Sequence, residues 1–479
     1  MPSATLIPSL YGGRRPATPA QTNLTGNRLP SGPPPLRFVS RAPPRIRWGR
    51  MGAVRTIDDH LREVTALLAP LAARLEAETL PVSGAAIATD PARYAHRVLA
   101  ADLVSPSALP AFDNSQMDGY AVVAAELTGA TEAAPVRLAV APRIAAGDPG
   151  ATHRSGTATP VMTGAPVPQG ADAVVQIERA IPSRFPADGE TATVSFAAAV
   201  APGTFVRPAG SDVAAGELLL AAGSELRGPQ YGVIAGTGAT EIEVRRRPRV
   251  LLVSTGHEIR DAGTALAPGQ IYDANTVALT VALQAAGCAV TPLPCRSDDA
   301  SDLLGLLAEH AADHDLLVTV GGVSAGVREV VRDALGPRGV AFMKVAMQPG
   351  GPQGFGMLRL DDEEGAPVAL PAVCLPGNPV SALVSFEAFL RPALRSAQGL
   401  TAPLRELRSA PAAHPFDSPP THHQLRRGVL NDQGALELVG GPSSHLLHSY
   451  ATSTVLVHVP VGVTTVAAGD RLDYWRIDG

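Results

Sequence analysis

Strands that alternate with helices between residues 248 and 397 constrain the fold of this chain more than any other feature. Short apolar runs predict buried strands at residues 249–254, 289–293 and 316–320. Capped runs predict helices, which are 275–287 with an Asn or Thr cap, 297–311 with Ser297 as the N-cap, 327–335 and 379–394. This alternation is typical of a parallel sheet with helices on both faces. We therefore expect a central doubly wound α/β domain over residues 248–397.

Three glycine-bearing loops follow apolar strands of this segment, at residues 254–258 (STGHE), 321–326 (GGVSAG) and 376–379 (PGNP). In doubly wound sheets, ligands bind at the carboxyl ends of the strands. Glycines let backbone N–H groups approach an anion, and three such loops favour a phosphorylated or nucleotide-like ligand over a purely structural need for tight turns. None is a Walker loop, and no G-x-G-x-x-G opens a helix, which disfavours a dehydrogenase.

Four acids lie near these loops in sequence: Glu258, Asp273, Asp298 and Glu329. Carboxylates beside a phosphate site typically hold Mg²⁺. Asp298 has a structural explanation as well, because acids are favoured in the first turn of a helix. Glu258 lies in a glycine turn and has no such explanation, so it is the stronger candidate.

The flanking regions predict an α/β and β multidomain protein. Residues 51–247 form an N-terminal segmented region, with a helical and extended linker domain that is discontinuous and a mostly β domain at about 88–210. Residues 398–479 return to short strands and predict a small C-terminal β-barrel. Residues 1–50 contain eight Arg, ten Pro and no acid. This composition predicts a disordered Pro/Arg-rich tail.

Composition excludes several function classes. A chain of 479 residues with a formal net charge of −5 gives no general case for nucleic-acid or membrane binding. The three cysteines are too few for a disulfide framework, so we expect a cytoplasmic protein. The 39 basic residues include a single lysine, Lys344. That lysine either survives by chance or marks a site that needs a compact ammonium rather than a planar guanidinium.

Seven motifs together point to a family. They are FDNSQMDGYA (112–121), VMTGAPVP (161–168), RPAGSD (207–212), the STG-E loop, GQIYDAN (269–275), GGVSAG and LPGNPVS (375–381). From residue 51 to residue 479 the chain resembles the molybdopterin molybdenumtransferase family, which includes the E domain of gephyrin.

The resemblance implies the last step of molybdenum cofactor synthesis. The family's substrates are adenylylated molybdopterin and molybdate; molybdenum is inserted at the dithiolene and AMP is released, with help from Mg²⁺ or another divalent cation. It also implies a four-domain elongated homodimer with a cleft shared between the subunits, and delivery of the product to molybdoenzymes.

The resemblance further implies roles for residues at matching positions. The expected catalytic residues are Asp118, Glu258, Glu329 and Lys344, and the expected metal ligands are Asp118, Glu258 and Asp298. The expected substrate contacts are Thr163, Arg207, Asp212, Gly321, Gly322, Ser324, Gly377, Asn378, Ser381 and Arg427, with Ser381 and Arg427 assigned to molybdate.

Some positions depart from the family's pattern. They are His257, Glu329, Gln348, Gly351 and His448, and at Gln348 and Gly351 the family commonly has lysine. Losing two positive charges should weaken molybdate binding, and Arg328 and Arg427 are the candidates to compensate for it. A non-catalytic carrier of molybdopterin or finished cofactor is therefore the alternative to the enzyme. A scaffold similar to gephyrin has no specific support in the sequence.

Overall fold

A computed structural model of the chain describes residues 55–187, 190–324, 329–362 and 365–478. The predicted disordered tail lies outside these ranges. Helix α1 (Ile57–Leu68) begins after Thr56, whose side chain caps the helix reciprocally with Asp59. Its buried residues recur at helical spacing.

The next segment contains short elements. They are β1 (Ala77–Pro81), α2 (Gly84–Thr89), α3 (Pro91–Tyr94), β2 (Arg97–Val98) and β3 (Leu103–Val104). The strands β1, β2 and β3 do not pair with one another. Each instead pairs with a strand more than 100 residues later in the chain.

A mostly antiparallel β unit follows. Its strands are β4 (Asn114–Ser115), β5 (Gly119–Val122), β6 (Val136–Val140), β7 (Thr157–Val161), β8 (Ala173–Gln176), β9 (Ala180–Ile181), β10 (Thr193–Phe196) and β11 (Val206–Arg207). Six of them form a sheet in the order β8-β5-β7-β6-β10-β9, and β11 pairs with β4. The core of this unit contains Tyr120 and Phe196, whose rings pack edge to face.

The chain then returns to the first segment. The elements are β12 (Leu218–Leu220), β13 (Glu225–Leu226), α4 (Gly228–Gly236) and β14 (Glu241–Arg245). Strands β12, β13 and β14 pair with β3, β2 and β1, all antiparallel. Residues on both sides of the β unit therefore share one core, which includes Leu80, Leu99, Leu226 and Val244. The domain boundaries given above remain predictions.

The central sheet has the order β18-β15-β19-β23-β22-β20. The strands of this segment are β15 (Arg249–Thr255), β16 (Ile259–Arg260), β17 (Ile271–Tyr272), β18 (Ala289–Cys295), β19 (Leu316–Val320), β20 (Val340–Lys344), β21 (Met347–Gln348), β22 (Pro352–Asp361) and β23 (Pro367–Leu375). Strands β18, β15, β19 and β23 are parallel, and β22 and β20 are antiparallel additions.

Helices cover both faces of this sheet. They are α5 (Ala274–Ala285), α6 (Ala300–His310), α7 (Val330–Leu335), α8 (Pro379–Ser385) and α9 (Arg391–Ala397), with a π-helical segment at Phe386–Leu390. One core joins α1, α5, α8 and α9 to the sheet, and a second core joins α6 and α7 to its opposite face. The predicted doubly wound sheet is confirmed.

Two predicted helix caps are wrong, and one predicted helix is not α-helical throughout. Helix α5 is capped by Asp273, which accepts from Thr276 N, rather than by Asn or Thr. Helix α6 is capped by Asp299 instead of Ser297, so Asp298 lies before the helix and not in its first turn. The predicted helix 379–394 has a π-helical segment in its middle. At both caps a side-chain hydrogen bond that the apolar pattern does not encode decides the outcome.

An arginine–aspartate cluster fixes the start of β15. Arg246 donates to both carboxylate oxygens of Asp315, at 2.7 and 3.2 Å, and Arg249 N donates to the same carboxylate at 2.8 Å. Burial alone raises the pKa of Asp315, but the hydrogen bonds from Arg246 and Arg249 outweigh it and lower that pKa to about 2. The basic run at residues 245–249 therefore has a structural use.

The C-terminal unit is mostly antiparallel. Its elements are β24 (Arg408–Pro411), β25 (Phe416–Asp417), β26 (His423–Leu430), β27 (Leu436–Leu438), α10 (Leu447–Ala451), β28 (Val455–Val459), β29 (Thr465–Val466) and β30 (Arg471–Arg476). The main sheet has the order β21-β26-β28-β30-β24, so β21 of the central segment joins it. Among the described helices, none is both long and apolar enough to span a bilayer.

Replacing His60 by Leu should reduce the loss of stability in acid. His60 is fully buried between the rings of Phe355 and Phe389, and burial, aided by Arg55, lowers its pKa to about 3. As the pH falls, the unfolded chain is therefore protonated at His60 before the folded protein is. The contribution of neutral His60 to folding stability is complete above about pH 6.5 and is lost as the pH falls toward 3. Between pH 7 and pH 4.5 the wild type should lose roughly 2–3 kcal/mol more than His60→Leu, measured by urea unfolding. His414→Leu, which replaces an exposed histidine, is the control. An equal loss of stability in the wild type and in His60→Leu would contradict the prediction.

Candidate functional site

The register of the parallel strands brings the predicted loops to one edge of the sheet. Ser254 of β15 lies opposite Val320 of β19, and Val320 lies opposite Leu375 of β23. The loops that follow these three residues therefore begin side by side.

Close backbone packing explains the glycines of these loops. Gly321 has φ +96°, and a Cβ there would lie 3.0 Å from Thr255 O. A Cβ on Gly377 would lie 3.3 Å from the Cα of Gly321, so the second and third loops are in contact. Asn275 at the start of α5 donates from Nδ2 to Gly377 O at 2.6 Å. The glycines thus have a structural function in addition to any ligand contact.

A cavity of about 950 Å³ opens at this edge. Of the expected site residues, those lining it are Glu258, Gly321, Gly322, Ser324, Glu329, Lys344, Gly377, Asn378 and Ser381. A volume of this size accommodates a cofactor-sized ligand. The cavity also has a wall from the C-terminal unit, formed by Pro419, Thr421, His422, Pro442, Ser443 and Ser444.

Glu258 and Asp298 lie on either side of His257. The Nδ1 atom of His257 is 2.9 Å from Asp298 Oδ2 and 3.8 Å from Glu258 Oε2. A Cβ on Gly256 would lie within 3.0 Å of the Glu258 carboxylate, so glycine is required for this carboxylate to fold back over the loop. The first loop therefore presents a carboxylate to the cavity and keeps a second one close behind it.

Glu329 and Lys344 approach the cavity from other loops. Glu329 Oε2 accepts from Ser324 N at 3.0 Å, which ties the acid to the glycine loop. Lys344 ends strand β20, and its side chain is exposed. Its Cε would lie 3.7 Å from a Cβ on Gly351. The ammonium of Lys344 and the carboxylates of Glu258 and Glu329 thus line the same cavity, which Asp273 also lines.

Six expected residues do not line this cavity: Asp298, which lies behind Glu258, Arg427, and four residues of the N-terminal region. Thr163 donates to Asp118 Oδ1 from N and Oγ1, at 2.7 and 2.9 Å, and Arg207 donates to Asn114 Oδ1 at 3.2 Å. Asp212 is exposed, as are Asp118, Thr163 and Arg207. All four belong to the β unit and its flanks. Within this chain the structure does not bring Asp118 together with Glu258 and Asp298.

Arg427 is buried and does not line the cavity. It is 3 % exposed, and its guanidinium donates to Ser443 O at 3.0 Å and to Gly441 O. It therefore contacts the loop that carries Ser443 and Ser444. The structure places it behind the C-terminal wall, which differs from the expectation of a direct molybdate contact.

The other departures from the family pattern have clear environments. Gln348 accepts from Gln424 Nε2 at 2.8 Å across the β21–β26 pair. At Gly351 a Cβ would meet only ordinary contacts, of 3.4 Å or more. His448 lies in α10 and does not line the cavity. Arg328 lies outside the described residues.

Sequence reasoning missed two parts of the site. Asn275 stands out in the sequence only as the end of a motif, yet it joins α5 to the PGNP loop. The C-terminal wall was also missed, although Ser443 and Ser444 lie in a Gly-Pro turn that resembles the other polar loops.

The donor set is compatible with a magnesium ion. In the four described ranges, no three or more His, Cys, Asp or Glu residues form a group that could hold a metal ion by themselves. Mg²⁺, however, usually takes one or two carboxylates and completes its shell with water and phosphate oxygens. Glu258 and Asp298 fit this requirement because both are hard oxygen donors on adjoining loops.

Asp273, in contrast, is a structural acid. Its carboxylate accepts from Ser254 Oγ at 2.7 Å, from Thr276 N at 2.9 Å and from Thr276 Oγ1 at 2.8 Å. It therefore connects the end of β15 to the start of α5 and holds the first loop against the helix.

Fold and cavity define a doubly wound α/β domain with a cavity lined by glycine loops at the carboxyl edge of its parallel strands, combined with β units on both sides. Two family models match the chain, the MoeA N-terminal region (domain I and II) over residues 55–238 and a probable molybdopterin binding domain over residues 252–396.

Curated relatives agree with these matches. Molybdopterin molybdenumtransferase 2 of Mycobacterium tuberculosis is 44% identical over 389 residues, which are 79% of this chain and 92% of the relative. The molybdopterin molybdenumtransferase of Haemophilus influenzae is 32% identical over 385 residues, 79% and 90% of the two chains. A crystal structure of a molybdopterin biosynthesis MoeA protein from Pyrococcus horikosii superposes with a TM-score of 0.66 at 27% identity, covering 89% of this chain and all of that one. The chain belongs to the molybdopterin molybdenumtransferase family, a family of transferases in molybdenum cofactor biosynthesis.

Replacing Asp273 by Ala should destabilise the central domain by about 2–4 kcal/mol. The substitution removes a helix cap and leaves the buried Ser254 hydroxyl without its acceptor. Asp299→Ala is the matched control, because Asp299 caps α6 from an exposed position and its loss should cost clearly less. Urea unfolding measures both, and equal losses would show that the link to β15 contributes nothing.

Proposed function

We propose that this chain inserts molybdenum from molybdate into adenylylated molybdopterin and releases AMP. The observation that carries the proposal is one cavity in which three glycine-bearing loops, Lys344 and the carboxylates of Glu258 and Glu329 lie together. The family membership supports the same reaction class. Glycine backbone N–H groups and an ammonium attract phosphate and oxyanion groups, and carboxylates serve the cation and the water.

The proposed roles follow from position. Gly321, Gly322, Ser324, Gly377 and Asn378 bind the anionic substrate through the two central loops. Lys344 places its compact charge beside the oxyanion, and Ser381 adds a hydroxyl on the same side. Glu329 keeps the second loop in shape through Ser324 N and presents its carboxylate to a water molecule at the adenylate phosphorus.

Glu258 and Asp298 are the proposed magnesium ligands in this chain. When bound, Mg²⁺ would neutralise charge on the phosphate groups that are separated during AMP release. His257 contacts both carboxylates and so keeps them near each other.

Asp118, Thr163, Arg207 and Asp212 are proposed to act in a homodimer. All four are exposed and lie away from the cavity of their own chain. In this arrangement they complete the site of a second copy, where Asp118 joins Glu258 and Asp298 as the third carboxylate for the metal. The working protein is proposed to be cytoplasmic and to pass its product to molybdoenzymes.

Glu258→Ala and Asp118→Ala should each lower the rate of molybdate-stimulated AMP release at least a hundredfold. Losing other charge-stabilising groups from enzyme sites has effects of this size. If the two residues serve the same site from different copies, mixing the two inactive variants should restore up to a quarter of the activity. Protein starting at Met51, adenylylated molybdopterin and Mg²⁺ are the components, and AMP is quantified by chromatography.

Asp299→Asn is the matched control, since it removes an acid next to Asp298 and keeps a good helix cap. It should leave the rate unchanged. Unaltered AMP release in Glu258→Ala would refute the assignment of roles. Pterin binding by the wild type without any AMP release would instead favour the carrier.

Gly351→Lys should lower the KM for molybdate about tenfold, because it adds an ammonium beside Lys344 where the backbone leaves room for a side chain. Gly351→Gln provides a neutral side chain at the same position and should leave the KM near that of the wild type. Initial rates of AMP release at varied molybdate measure the effect. Equal KM values for the Lys and Gln variants would show that position 351 does not face the oxyanion.

A further inference from the structure

The cavity contains an aromatic surface that the proposed roles do not use. Tyr272 of β17 lines the cavity and is 48 % exposed, and its neighbour Ile271, which is 55 % exposed, lines it as well. Among the described residues that line this cavity, Tyr272 is the only Phe, Tyr or Trp. An exposed ring in a ligand cavity favours contact with a flat apolar part of the ligand.

The hydroxyl of Tyr272 holds the side chain in place. It donates to Thr264 O at 2.9 Å, within the loop that connects β16 to β17. The protein itself therefore satisfies the polar end of this side chain, and the part that is left for a ligand is the ring. Because the bond restricts the side chain before any ligand binds, less conformational entropy is lost on binding.

Strand pairing places this ring close to Glu258. Ile271 N donates to Glu258 O at 3.0 Å, and Tyr272 lies opposite Arg260 in the β16–β17 pair. The aromatic residue and the proposed metal ligand thus come from adjacent backbone segments. A single nucleotide-sized ligand can therefore meet the carboxylate with its phosphate and the tyrosine with its ring.

The charged groups of the cavity do not account for the rings of the substrate. In the proposed reaction, Glu258, Glu329 and Lys344 serve a cation, a water molecule and an oxyanion. Adenylylated molybdopterin also contains two flat nitrogen heterocycles, which are the adenine and the pyrimidine ring of the pterin. Rings of this kind stack on aromatic side chains through their π faces, whatever their hydrogen-bonding pattern.

We propose that Tyr272 binds the substrate by stacking against one of its heterocyclic rings, and that Ile271 extends the apolar surface beside it. The inference rests on the proposed function and specifies it. Adenine and the pterin share the chemistry that this surface recognises, and separate probes distinguish them.

Two substitutions at position 272 of the full chain test the proposal. Tyr272→Phe retains the aromatic ring, whereas Tyr272→Leu keeps an apolar side chain without a ring. Calorimetric titrations with AMP, with ribose 5-phosphate and with 6-hydroxymethylpterin measure each affinity without turnover. Val461→Ala is the control, since it removes an exposed apolar side chain that does not line the cavity, and it should leave every affinity unchanged.

Tyr272→Leu should weaken the binding of AMP or of the pterin about tenfold, as expected for the loss of one stacking contact, and Tyr272→Phe should remain within about threefold of the wild type. Ribose 5-phosphate has the phosphate without the base, so its affinity should be the same in all proteins. The probe whose affinity changes identifies the ring. In AMP release, Tyr272→Leu should raise the KM for adenylylated molybdopterin similarly, with kcat within about twofold.

Unchanged affinities of Tyr272→Leu for both ring-bearing probes would overturn the proposal, as would a wild type that binds neither of them. An equal loss for ribose 5-phosphate would also overturn it, because the substitution would then disturb the whole cavity. Altered sedimentation with unchanged affinities would show that the exposed ring contacts a second copy of the chain instead. Ring binding that depends on Tyr272 without molybdate-stimulated AMP release would refute the proposed function alone.

Discussion

The parallel hydrogen-bond ladder of β15, β19 and β23 is the constraint on which the site depends. Because Ser254, Val320 and Leu375 are in register, the chain must leave the sheet three times at one level. The loops therefore lie very close together. Gly321 and Gly377 can approach as closely as they do only because neither has a side chain. Asp273 and Asn275 fasten this arrangement to α5.

The C-terminal unit is joined to the central domain through β21. This strand follows Lys344 by only two residues and pairs in parallel with β26, and His423 N donates to Ala346 O at 2.9 Å. The segment that carries Lys344 is therefore fixed by the central sheet on one side and by the C-terminal sheet on the other. A displacement of either sheet would move the ammonium relative to the carboxylates. The cavity is in this sense a property of two sheets, although most of its residues come from one.

The sequence predicts the central domain well and the assembled site only in part. Apolar runs of β15 and β19 and the glycines after them are local signals, so both the strands and the edge at which they meet follow from the amino-acid pattern. Helix caps are harder to predict, because Asp273 and Asp299 are the caps in place of neighbouring Asn, Thr and Ser through a few local hydrogen bonds. Arg427 illustrates the remaining difficulty. Its residue type suggests an anion contact, but the loop that covers it depends on contacts between β26 and residues 441–443, which no periodicity encodes.

Arginine and lysine side chains have different roles in this protein. Arg246 holds both oxygens of Asp315, Arg405 holds both oxygens of Glu387, and Arg427 joins two backbone carbonyls. In each case a rigid fork satisfies two acceptors at once, which is a structural task for which a flexible ammonium is poorly suited. The single lysine of the chain is instead exposed at the cavity, next to a glycine that leaves space around it. A compact, strongly hydrated charge can adjust to an oxyanion that changes its coordination during a reaction, whereas a fork fixed to two partners cannot. Under the proposed function, the oxyanion ligand and not the fold accounts for the lysine at this one position.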